Sequence, residues 1–155
     1  METDLKWTLI LRLSAIGPVL ALGSIFFISP NLEPLLWLAV FLYYANAVGH
    51  GTRTRRFFHG VLLGILNSVW VVGIHDAFVT RYLAAHPREV QMIKMVHGAG
   101  MVISPRVIMT FTGLTVGILE GMVIGVFSVV AGMMVKPRRL DLTAVTDLAK
   151  SGSEA

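Results

Sequence analysis

From Pro105 to Val135 the chain runs apolar with a single acidic residue, Glu120, near the middle. A helix needs about 20 such residues to cross the hydrocarbon core of a bilayer, and this stretch exceeds that length. Ser104-Pro105 supplies its start, because a serine hydroxyl caps free N–H groups and proline is tolerated in a first helical turn. The surplus length predicts tilt, or an end that projects into water. The rest of the 155 residues follows suit: 55% are hydrophobic and 14% charged, against about 25% charged in soluble domains, and the mean hydropathy is +0.73. The solvent for which this chain is built is lipid.

Three further apolar runs precede that stretch. The first, Leu9 to Ile28, is broken only by Arg12, which can snorkel to the headgroups. Glu2 and Asp4 make a poor basic leader and Arg12 interrupts the apolar region, so the run is read as a retained span rather than a cleaved signal peptide. Ser29, Pro30, Asn31, Glu33 and Pro34 form a polar turn. The second run, residues 35–50, is short unless Asn46, Gly49 and His50 extend it into the interface. The third, residues 57–79, carries Asn67 near its middle and His75-Asp76 near its end. The predicted fold is therefore an all-α integral membrane bundle of four transmembrane helices, at 9–28, 35–50, 57–79 and 105–135. They form one domain, residues 1–139, with a cytoplasmic tail at 140–155.

Lysine and arginine set the orientation. With the N-terminus inside, cytoplasmic segments hold Lys6, Arg12, Arg53, Arg55, Arg56, Lys136, Arg138, Arg139 and Lys150, and outer segments only Arg81, Arg88, Lys94 and Arg106. Both ends are thus expected in the cytoplasm of a cell with a multi-pass inner-membrane protein, and Arg53, Arg55, Arg56, Lys136, Arg138 and Arg139 are expected on anionic lipid headgroups. In the outer loop, Val90, Ile93 and Val96 fall at helical spacing between Pro87 and Val96, which predicts a short amphipathic helix on the membrane surface. Leu140, Ala144, Val145 and Leu148 hint at another in the tail. The net charge of +4 belongs to the edges of apolar runs, so lipid is the expected partner and nucleic acid is not.

The strongest pattern is a stripe of small residues. Gly113, Gly117, Gly121 and Gly125 recur every four positions, Ser128 and Gly132 continue their face, and Gly60 and Gly64 form a shorter counterpart. In lipid such GxxxG spacing lets two backbones approach closely. The stripe predicts a packing seam between the third and fourth helices, or else a homodimer or partner interface.

Glu120 is the sharpest single residue. A charged carboxylate at mid-membrane is costly, so it must be paired, protonated or facing water. Asn67 lies at similar depth, and antiparallel neighbours would let its amide bond the acid; Asn46 is the other polar residue within a run. Of five histidines, His75, His86 and His97 fall on the outer side, and none repeats at the spacing that would hold a metal on one helix face. No metal or cofactor is expected. The chain has no cysteine, no nucleophile elbow, no phosphate loop and no zinc-protease signature.

The stretch Phe57 to Asn67 (FFHGVLLGILN), a polar loop with methionines, and the closing GMVIGVFSVVAGMMVKP together resemble a group of four-span bacterial membrane proteins grouped as a domain of unknown function. The resemblance covers about half the chain and implies four spans in an inner membrane; it supplies no activity. The residues themselves favour a non-enzymatic assembly module or accessory subunit built on the glycine seam. Two alternatives stand beside it, a small proton- or ion-coupled transporter or channel component centred on Glu120, and a membrane enzyme using His75 and Asp76.

Overall fold

Proline and glycine punctuate the apolar runs. The computed structural model describes residues 5–134, and within them the elements are α1 (Trp7–Ser14), α2 (Ile16–Phe26), α3 (Glu33–Gly51), α4 (Arg56–Ala77), α5 (Val79–Ala85), α6 (Pro87–Gly98) and α7 (Pro105–Met134), with no strand among the described residues. The first run is two helices rather than one. Pro18 has no N–H and its ring crowds the carbonyl four residues back, at Ser14, so the helix breaks at Ala15 and Pro18 falls in the first turn of α2. The third run stops at Ala77, and α5 starts afresh after Phe78. Arg55 holds a left-handed φ of +52° and turns the chain from α3 into α4.

Three stretches are long and apolar enough to cross a membrane: Trp7–Phe26, Arg56–Ala77 and Pro105–Met134. The run predicted at 35–50 is a continuous helix of 19 residues, α3, with Pro34 in its first turn. It is not among those three, because Glu33, Asn46 and His50 dilute its apolar character. The expected helix in the loop is present as α6. Lys136, Arg138, Arg139, Lys150 and the predicted tail lie outside the described residues.

Helix directions alternate. Gly17 of α2 meets Asn67 of α4, and Ser24 meets His75, so the first rod runs parallel to α4. Gly60, Gly64, Ser68 and Val72 meet Gly125, Gly121, Gly117 and Gly113 in turn, so α4 and α7 are antiparallel. Gly49 of α3 lies against Ser128 and Gly132, at the same end of α7 that Arg56 reaches. The result is an up-down-up-down bundle of four rods, with α4 and α7 as the largest interface and α1, α2 and α3 packed on them.

The seam between α4 and α7 is where glycine is required. A Cβ added to Gly60 would stand 2.5 Å from the Gly125 Cα, and one added to Gly125 would stand 2.7 Å from the Phe57 carbonyl oxygen. Those neighbours are backbone and cannot swing away. Around this seam Ile10, Leu13, Tyr44, Val48, Leu63 and Ile124 form a core contributed by all four rods. The outward faces are apolar too: Val19, Leu38, Phe58, Phe111, Leu119, Val126 and Met133 are exposed. A row of exposed hydrophobic side chains on every rod is what a lipid-facing surface requires.

Candidate functional site

The site grows from the end of the bundle where α4 finishes and α7 begins. Tyr82 in α5 and His86 at the cap just after it are four residues apart and share one face. That face lies against the last turn of α4, so three rings stack in a column. His75 and Tyr82 have centroids 4.0 Å apart at 23°, and Tyr82 and His86 also 4.0 Å apart at 19°. Docking of α5 is reinforced by Ile25 and Met109 against Tyr82, and by Arg81 over the Phe26 ring at 5.1 Å.

Hydrogen bonds at the two ends of the column fix its protons. His86 Nδ1 lies 2.8 Å from the Tyr82 carbonyl oxygen, which can only accept, so Nδ1 carries hydrogen. His86 Nε2 lies 3.0 Å from Glu33 Oε2. Two lone pairs would repel at that distance, so one proton sits between them, on the ring or on the acid. Glu33 is further held by Trp37, whose Nε1 donates to Oε1 at 3.2 Å. At the other end the Ser24 hydroxyl donates to the Ala21 carbonyl at 2.9 Å. Its oxygen is therefore an acceptor toward His75 Nε2 at 3.1 Å, and the ring must donate there. In the neutral ring Nδ1 is then a lone pair, and it has no hydrogen-bond partner among the described residues. Burial pushes the Tyr82 phenol well above the usual tyrosine range, so it stays a hydroxyl.

Deeper in the bundle, Asn67 is 2% exposed and its Oδ1 accepts from the Tyr44 hydroxyl at 3.1 Å. That oxygen also faces Gly17, where any Cβ would collide with it. The expected hydrogen bond between Asn67 and Glu120 is absent: the two lie at one level of the α4–α7 pair, but the Tyr44 hydroxyl on α3 donates to the amide oxygen and the amide Nδ2 makes no bond to the carboxyl. Nothing in the sequence marks this pairing, because the run 35–50 does not tell which of its side chains turns toward Asn67. Asn67 Nδ2 and the Glu120 carboxyl have no hydrogen-bond partner among the described residues, and neither is fully enclosed.

What they face is a cavity of about 420 Å³ lined by Asn67, Ser68, His75, Tyr82 and Glu120, with Val71, Val72, Met92, Met109 and Val116 as its apolar wall. Glu33, Trp37, Arg88 and Glu89 line it at the mouth, toward the His86 end of the bundle. A second, wider hollow of about 910 Å³ shares Glu33, Trp37, Tyr82, Arg88, Glu89, Val116 and Glu120 with it. Together they form one cleft that leads from the His86 end of the bundle to the midpoint of α7.

The remaining candidates lie elsewhere. Asn46 is on the exposed face of α3, and its carbonyl accepts from His50 Nδ1 at 2.9 Å. His59 is fully buried and fastens the chain ahead of α1: the Lys6 N–H donates to its Nε2 at 3.0 Å, and its Nδ1 donates to the Arg55 carbonyl at 2.9 Å. His97 donates to the Ile103 carbonyl at 2.7 Å and pins the loop before α7. Asp76 accepts from the Thr110 hydroxyl at 2.6 Å, and its Oδ1 is buried without a partner. His75 and Asp76 are thus bonded to Ser24 and to Thr110, and they do not form an acid-oriented base. Arg53 and Arg55 are exposed, whereas Arg56 turns inward, donating from Nε to the Thr52 carbonyl at 3.0 Å and packing on Gly132. Among the described residues no three histidine or acidic side chains gather as metal ligands.

Sequence reasoning missed Glu33, Tyr82, Ser24, Trp37 and Tyr44. Tyr82 and His86 did carry a signal, the four-residue spacing of two ring side chains, but the segment looked like loop. Glu33 was read as part of a turn. No family model, curated protein or solved structure matches this chain.

Proposed function

We propose that this is a four-span inner-membrane protein with both ends in the cytoplasm, whose cleft admits a proton or small cation from the outer side to Glu120 as part of a coupled transport system. The observation that carries this reading is the Glu120 carboxyl, unpartnered halfway along α7, at the inner end of a cleft whose mouth holds the proton shared by Glu33 and His86. A carboxyl at that depth is expensive unless something titrates or binds it. The alternating rods support α3 as the fourth span, since each reversal returns the chain to the opposite face. The lysine and arginine distribution supports a cleft mouth on the outer side, with α6 along the outer interface.

The glycine seam plays a supporting part. Its glycines pack α7 on α4, with Ser128 and Gly132 also against α3, so the seam holds the cleft wall in place. The test is flux into proteoliposomes carrying a pH-sensitive dye. Glu120→Gln should cut a driven proton or cation flux at least about tenfold, the scale on which a buried charged partner counts. A flux that survives this change across a range of pH would remove the carboxyl from the coupling step.

A further inference from the structure

We infer that the cavity receives a protonated primary or secondary amine with a small apolar body. This names a ligand class for the cleft and rests on the reading of Glu120 as its binding group. The volume of about 420 Å³ lies in the range of small-molecule pockets. Its wall is what such a body needs: Val71, Val72, Met92, Met109 and Val116, flanked by the Trp37 and Tyr82 rings.

Three groups inside it are free to bond, and two of them accept. His75 is 8% exposed and lines the cavity, and its Nε2 hydrogen is committed to Ser24, which leaves the Nδ1 of a neutral ring as a lone pair with no partner among the described residues. Glu120 supplies carboxylate oxygens with no partner. Asn67, 2% exposed, supplies the donor, its Nδ2, since its oxygen is taken by Tyr44. An ammonium head donates to the Glu120 carboxylate, and a hydroxyl or carbonyl oxygen on the same ligand accepts from the Asn67 amide at the same level, while His75, more than two helical turns further along α4, can accept only from a donor at the far end of the ligand. A ligand made only of acceptors, such as a carboxylate or a dione, would leave both acceptors unsatisfied in a buried place.

Charge points the same way. Arg88 and Glu89 are sequence neighbours at the mouth and offset each other, and Glu33 shares its proton with His86. Glu120 is left as the acid without a counter-charge, which suits one positive charge. Of the two rings, Trp37 is the one that can add cation–π attraction, since both faces of Tyr82 are covered by imidazoles.

The full chain in nanodiscs, titrated calorimetrically with phenethylamine against empty nanodiscs, tests this. Saturable binding is expected. Phenethyl alcohol, which lacks the charge, and phenethyl-trimethylammonium, which keeps the charge but lacks N–H donors, should each bind at least about tenfold more weakly. Glu120→Gln should weaken the amine by a similar factor, while Asn46→Leu on the exposed face of α3 should not. No saturable amine binding, or an alcohol or quaternary analogue as tight as the amine, overturns the inference. If Glu120→Gln does not fold, the comparison of the three ligands on the unchanged chain still decides. Proton flux that depends on Glu120 without amine binding sinks the amine and leaves the transport reading standing. Amine binding and flux that both ignore Glu120→Gln sink the two together.

Discussion

Asn67 shows how a single residue can be placed by sequence and assigned the wrong partner. Its depth was legible, because an amide in the middle of an apolar run must lie in the bundle interior. Its bonding was not, because hydrogen bonds depend on which face of a third helix turns inward, and α3 turns Tyr44 there. Tyr44→Phe leaves the Asn67 oxygen buried with no donor and should destabilise the bundle by about 1–3 kcal/mol. Thermal unfolding in detergent measures this, and a stability equal to the parent would mean that the bond contributes nothing. Tyr82 makes a second prediction at this scale. The ordinary phenol titrates near pH 10, and burial between two imidazoles raises Tyr82 above that. Tyr82→Phe should therefore leave tyrosinate absorbance unchanged through the ordinary range and remove it only at more alkaline pH. Loss of absorbance near pH 10 would show the ring to be solvated.

At the scale of elements, the glycine stripe was fully readable from one sequence, because spacing every four residues is a property of one helix. The structure supplies the partner and the register. Gly64→Leu and Gly121→Leu should each force α4 and α7 apart at about 1–3 kcal/mol or more, since the obstructing atoms are backbone. Gly73→Leu, on the open side of α4, meets nothing within 4 Å and should be tolerated. Equal Tm values for all three would contradict the seam. The break at Ala15 escaped the sequence reading, although Pro18 announced it. A proline after an apolar start fits either a kinked helix or a first turn, and the chain uses the second. Likewise α5 was hidden inside a loop, since seven residues are too few for a periodic pattern to stand out.

Across the whole molecule, hydropathy fixed the class of fold, and the alternation of helix directions agrees with the four rods expected from it. The cleft was not legible. It is lined from α3, α4, α5, α6 and α7, and no local pattern reports what five separate segments bring together. Topology belongs to this scale. Reporter fusions at each end should both give the cytoplasmic signal, and a periplasmic C-terminus would mean that α3 or another rod fails to cross. The α4–α7 contact has a consequence for how the cleft could open. Where Gly60 and Gly64 meet Gly125 and Gly121 the two helices touch backbone to backbone, with few side chains to re-sort, so that part of the pair acts as a fixed post. Breathing of the entrance is then expected in α3, α5 and α6, which carry the Glu33–His86 contact, while the post keeps Glu120 at a constant depth.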